Sequence, residues 1–281
     1  MLPLGRRSVP FIVAAVSAAS VLASQGGPPP MPLPSGLALR DALDVLAHIK
    51  RDAPVRVQVG YTWQVGADGV PGAALWVSGE LDPTVVARDD PWMNGAEFSA
   101  DVLGENGAPA GGGRWTLTRE SRSALMRLPV PGTVVPGLHA VRVSSRPVDG
   151  AATLTDTVSV RVPQPPAPGA PAGAPVLFRR GPFSGPTWMP VGDPRFRRQE
   201  RVKVEVPVLG VCRAGAVRLL DRTGHPLNLP VTSSQRDEDG VQIVAGELTL
   251  APLATGDYVL EVAVTGGEKT VSVLSAFRIV P

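Results

Sequence analysis

The chain has 281 residues, more than one small domain needs, so two domains are expected. Its hydrophobic content of 43% is enough for real cores, while Gly 31 and Pro 31 together exceed a fifth of the chain, which suits strands joined by many turns rather than helices. The formal charge of +2 vanishes once Arg6 and Arg7 are set aside with the segment that holds them, and a neutral remainder gives no global pull toward nucleic acid.

That segment, "MLPLGRRSVPFIVAAVSAASVLASQ", reads as an export signal. Two arginines precede an apolar run ending in small residues, and Val21 and Ala23 fit the −3 and −1 places of a cleavage site. Residues 1–23 are thus a signal peptide cut between Ala23 and Ser24, leaving a periplasmic or secreted chain. The run is short and rich in Ala and Ser for a membrane span, so no span is expected after cleavage. No Cys follows the site to carry a lipid, and Ser-Val-Pro after the arginine pair is a poor twin-arginine match.

Residues 24–54 hold a Pro-rich tether, "GGPPPMPLPSG", and one helix, "LALRDALDVLAHIK". Ser35 is the expected N-cap, Pro54 the stop, and Leu39, Ala42, Leu43, Leu46 and Ile49 form one apolar stripe. Such a stripe must pack on something, most simply the domain that follows.

Residues 55–162 give seven short strands separated by turn signals, the pattern of a β-sandwich. In the first, "VRVQVGYTWQ", Val55, Val57, Val59, Tyr61 and Trp63 share one face, and Arg56, Gln58 and Thr62 share the other. Residues 163–175, "PQPPAPGAPAGAP", form a Pro/Ala/Gly linker expected to act as a semi-extended spacer between two independently folding units.

Residues 176–281 open on an irregular lead-in, "VLFRRGPFSGPTWMPVGDPRFRRQ". "RVKVEVPVLGV" then alternates, with Val202, Val204 and Val206 inward and Lys203 and Glu205 outward. Further strands complete a second sandwich that echoes the first: "ADVLGENGAP" corresponds to "VRLLDRTGHP", and "PGLHAVRV" to "TGDYVLEV". The second echo carries a structural expectation. A Tyr just after such a Gly turn hydrogen-bonds back across the sandwich corner, so Tyr258 is a lock rather than a binding aromatic, with His139 as its weaker substitute. The fold class is all-β: two tandem immunoglobulin-like or fibronectin III-like sandwiches, preceded by the signal peptide and one short helix.

Chemistry-bearing motifs are sparse. His48, His139 and His225 lack second ligands at metal spacing, and no nucleophile elbow or phosphate cradle occurs, so no catalytic, cofactor or metal residues are assigned. "RDDP" and "DEDG" read as solvated acidic turns, with weak calcium binding as the rival. Cys212 reads as a buried, inert thiol. The sharpest charge feature is the lead-in, where Arg179, Arg180, Arg195, Arg197 and Arg198 interleave with Phe178, Phe183, Trp188 and Phe196. Such a mixture can grip an anionic polymer. The competing reading is an edge loop that packs its aromatics, with Asp193, Glu200 and Glu205 pairing locally.

From residue 35 onward, the helix, "RLLDRTGHPLNLPV" and "LTLAPLATGDYVLEVAV" resemble the C-terminal region of exported bacterial von Willebrand factor A-related proteins. The resemblance implies an exported, β-rich protein. In that family an A-type domain carries a D-x-S-x-S adhesion site, and no such signature occurs here, so no metal site is carried over. The function expected is a non-enzymatic interaction or spacer module at the cell envelope, contacting a protein or envelope polymer. The alternative is a carbohydrate-binding module using exposed Trp76, Trp92 and Trp188.

Overall fold

A computed structural model describes residues 33–48, 53–66, 69–82, 90–165, 171–182, 184–238 and 240–281. The expected cleavage site at Ala23 and Ser24 lies outside these residues.

The first sandwich is built from β1 (Val55–Val65), β2 (Pro71–Leu81), β3 (Gly95–Leu103), β4 (Pro109–Thr118), β5 (Ser123–Arg127), β6 (Gly137–Pro147) and β7 (Leu154–Val162). One sheet runs β1-β2-β5 and the other β4-β3-β6-β7. Chain-adjacent β4 and β5 lie in different sheets, while β2 reaches past β3 and β4 to pair with β5, as in a Greek key. The inward faces carry Trp63, Leu75, Val77, Phe98, Leu117, Val141 and Val143, all buried. The seven strands are those that the period-two alternation predicts.

The second sandwich holds β8 (Val176–Gly181), β9 (Gly185–Pro190), β10 (Arg195–Arg197), β11 (Arg201–Leu209), β12 (Arg213–Asp221), β13 (Thr232–Glu238), β14 (Val241–Thr249), β15 (Gly256–Gly266) and β16 (Lys269–Val280). The sheets run β13-β14-β11-β8-β9 and β10-β16-β15-β12, with β10 parallel to β16. Val202, Val204 and Val206 meet Leu260, Val262, Phe277 and Ile279 in the core. Both units are immunoglobulin-like sandwiches.

Two expectations need correction here, and one strand, β13, has no counterpart among them. The lead-in is not irregular: it forms β8, β9 and β10, with Gly185 at φ +77° starting β9. β13 gave no sequence signal because it is an edge strand exposed along its whole length, with no apolar alternation to read. The helix α1 (Gly36–Ala47) has Ser35 as its N-cap, as expected, with Oγ accepting from Ala38 N–H. Its stripe, however, packs on the second sandwich, where Leu39 and Leu46 cover Leu220, Val259 and Ala276. A stripe specifies that it needs a partner, not which one.

The linker is not a free spacer where it is described. Gly173 N–H donates to Pro207 O at 2.7 Å, and Ala174 N–H donates to Tyr61 O at 2.8 Å, so the segment is stitched to both sandwiches. A Cβ at Gly173 would stand 2.8 Å from Tyr61 O, which explains why glycine suits that close approach. Residues 33–281 form one compact unit.

The repeated corner is present in both units. Tyr258 Oη donates to Ala254 O at 3.0 Å, and its ring stacks on Phe277 at 5.8 Å. His139 Nε2 donates to Val135 O at 2.7 Å, the same four-residue reach back. Gly256 and Gly137 adopt φ +156° and +149°, which favours glycine at each strand start. Asp257, beside the corner, accepts from Arg278 at 2.6 and 3.0 Å. Tyr258→Phe removes one partly exposed bond and is expected to cost about 0.5–1.5 kcal/mol in urea unfolding. Lost binding with unchanged stability would instead make Tyr258 a contact residue.

Candidate functional site

The basic lead-in becomes the seam between the sandwiches. β8 brings Arg179 and the turn before β10 brings Asp193, while β2 of the first sandwich brings Glu80. Arg179 Nε lies 3.0 Å from Glu80 Oε1, and a terminal nitrogen lies 3.4 Å from Glu200 Oε1. Arg179 also donates to the carbonyls of Asp193 at 2.8 Å and Arg195 at 3.1 Å. Glu80 Oε2 accepts from the N–H groups of Gly192 at 3.0 Å and Asp193 at 3.2 Å. Arg56 of β1 reaches Asp82 at 3.2 Å and Asp193 at 3.7 Å. Gly192 must be glycine for this approach, since a Cβ would lie 2.4 Å from Arg56 O.

Burial pushes the Glu80 carboxyl above the usual carboxylate range, and the Arg179 charge and two backbone N–H groups only partly offset it. Burial works against the Arg179 guanidinium as well, but Glu80, Glu200 and Asp193 more than compensate, so it stays charged. The arrangement is a buried, hydrogen-bonded charge cluster joining two β-sheets.

The five arginines therefore do not form one anion-gripping surface. Arg179 and Arg195 are bound to carboxylates of the protein itself, Arg195 to Asp193 and, at 3.9 Å, toward Asp82. Arg180 lies over the Trp188 ring at 4.6 Å, Arg198 donates to Ala251 O at 2.7 Å, and Arg197 N–H donates to Glu200 Oε2. Asp193 and Glu200 pair locally, as the competing reading held, and Glu205 pairs with Lys203 and Arg236. Phe196 is buried, which fits the packed-edge reading as well.

The tryptophan platform does not assemble. Trp76 is buried on the outer face of β2, its ring lying where a Gly60 Cβ would be, 2.1 Å away. Trp188 sits between Arg180 and Lys203, and Trp92 packs against the first core. A carbohydrate platform built on these three needs them exposed together on one face, and buried Trp76 does not meet that condition. The histidines have local roles: His48 contacts Asp44 O at 2.8 Å and His225 contacts Thr223 Oγ1 at 2.8 Å. Cys212 is buried and unpaired, and burial pushes its thiol up, away from thiolate reactivity. Asp90 of "RDDP" caps a 3-10 turn at Pro91–Asn94. Among the described residues, no three His, Cys, Asp or Glu side chains converge as a metal site requires. No helix among them is long and apolar enough to cross a membrane.

Sequence reasoning missed Glu80, Asp82 and Arg56 as partners of the lead-in. The only trace was a carboxylate ending an otherwise apolar strand, "AALWVSGEL".

These features define a tandem immunoglobulin-like protein with a charged, buried seam. No protein-family model and no curated protein matches the chain. Solved structures with some likeness include a marsupial T cell receptor, with 11% identity, 77% of this chain and 99% of that chain covered, and a TM-score of 0.23. Dpr2 Ig1-Ig2 in complex with DIP-Theta Ig1-Ig3 gives 6% identity, coverage of 80% and 93%, and a TM-score of 0.21. Titin Ig tandem domains A164-A165 give 8% identity, coverage of 81% and 99%, and a TM-score of 0.20. The immunoglobulin-like fold rests on the strand order and cores above.

Proposed function

We propose that the protein is a non-enzymatic, exported interaction and spacer module that works at the cell envelope as one rigid two-sandwich body. The observation that carries this reading is the Arg179–Glu80 cluster. It fixes one sandwich against the other, so the sheet edges and end loops are presented at set positions, as a spacer or docking module requires. Arg179 and Arg195 take their carboxylate partners from the protein itself. Export is supported by the arginine–apolar–small pattern before Ser24 and by the resemblance to exported von Willebrand factor A-related proteins. The partner is a protein or an envelope polymer.

The test is fractionation with mass spectrometry of the N-terminus, combined with photo-crosslinkers at exposed loop positions in living cells. A chain beginning at Ser24 in the periplasmic or secreted fraction, with crosslinks to envelope components, is expected. A full-length chain in the cytoplasm contradicts the reading.

A further inference from the structure

The first sandwich has an open side. β4 and β5 are each the last strand of their sheet, so their outer edges face one another and, among the described residues, neither pairs with a further strand. The second sandwich fills the equivalent place beside β14 with β13. Leu128 N–H bonds to Leu75 O, and Leu81 N–H bonds to Arg122 O. Antiparallel alternation then turns the backbone N–H and C=O groups of Leu125 and Arg127 outward, to the free edge. At one end the gap is closed by Gly112 N–H bonding to Pro129 O at 2.9 Å, and at the other by the chain between β4 and β5.

A groove of about 520 Å³ lies there, bordered by Gly113, Met126, Leu128, Pro129 and Val130. No aromatic side chain among the described residues lines it, so they offer no stacking platform for sugars or bases. Arg114 and Arg127 stand on its rim, both exposed. Arg127 is oriented by the neutral Gln64 Oε1. The arginines of the seam, by contrast, sit on carboxylates. Two cations with no carboxylate partner among the described residues, on an apolar slot beside a strand edge unpaired among them, call for one kind of occupant.

We infer that this groove docks a short, extended, acidic segment of a partner protein by strand addition along β5, with its carboxylates on Arg114 and Arg127 and an apolar side chain over Gly113. The inference rests on the interaction-module reading and names the site and partner chemistry. Gly113 gives a clean test, because a Cβ there would lie 3.7 Å from Met126 Cε and 3.8 Å from Pro129 Cδ, in ordinary contact, so a larger side chain fills the slot without displacing the backbone.

The experiment measures fluorescence anisotropy of labelled octapeptides with the full chain. The probes are alternating Val-Glu, alternating Val-Lys, and Val-Glu with alternate backbone nitrogens methylated. The Val-Glu peptide should bind at least tenfold more tightly than either control. Gly113→Leu, and separately the pair Arg114→Glu with Arg127→Glu, should each weaken it at least tenfold while leaving the Tm unchanged. No binding of Val-Glu, equal binding of Val-Lys, or indifference to both variants overturns the inference. Such a failure alongside intact envelope crosslinks removes the groove alone, whereas a cytoplasmic chain removes the module reading itself.

Discussion

Glu80→Ala is expected to lower stability by about 3–5 kcal/mol, because removing one partner of a buried ion pair leaves the other charge uncompensated. Arg179 keeps Glu200 at 3.4 Å and two carbonyls, which pulls the cost toward the lower end of that range. The N–H groups of Gly192 and Asp193 lose their shared acceptor as well, and orphaned buried donors add to the cost. Glu80→Gln retains an acceptor for those amides and should cost less than Glu80→Ala. The pH dependence has a definite sign. Burial raises the folded-state pKa of Glu80 above the unfolded value, so its contribution is fully present below the unfolded pKa and is lost as pH rises through the folded one. The advantage of wild type over Glu80→Gln should therefore grow as pH is lowered from neutrality. Urea unfolding at several pH values reads both effects, and an advantage that shrinks on acidification would reverse the assignment.

Trp63→Ala is the second large effect, at roughly 3–5 kcal/mol. The ring is fully buried in the first core, edge-on to Tyr61 at 5.6 Å, and its Nε1–H donates to Ala172 O of the linker at 3.0 Å. One side chain thus serves both the core of the first sandwich and the strap to the second. Trp63→Phe keeps most of the volume but drops the bond and part of the ring system, so it should cost about 1–2 kcal/mol, less than Trp63→Ala. It should also speed proteolysis near residues 171–175 while leaving the β15–β16 core protected. A Trp63→Phe variant as resistant as wild type would show that the strap does not depend on this bond.

Most of the fold was legible because strands with one buried face write period-two alternation, and both sandwiches do so. Val202, Val204 and Val206 are an example, as are the paired corners at Tyr258 and His139. The seam was not legible, because it uses the opposite faces of the same strands. Arg56, placed by alternation on the face opposite Val55 and Val57, is buried, and Ala74, Trp76 and Ser78 of β2 are buried on the side away from the first core. Alternation shows that a residue lies off the core face; it does not show whether water or another sheet lies beyond. The Arg179–Glu80 contact joins residues 99 apart in sequence, with no periodicity linking them. The groove was hidden for a related reason. Gly113 and the free edges of β4 and β5 matter through what they lack, a side chain and neighbouring strands, and composition records neither.

The central claim is that the two sandwiches form one body, held by the Glu80–Arg179 cluster, the stitched linker and the helix strapped to the second unit. Differential scanning calorimetry of the full chain tests it most directly. A single transition is expected, with calorimetric and van't Hoff enthalpies in agreement, shifting as a whole in Glu80→Ala. Two resolved transitions, of which Glu80→Ala moves only one, would contradict the account.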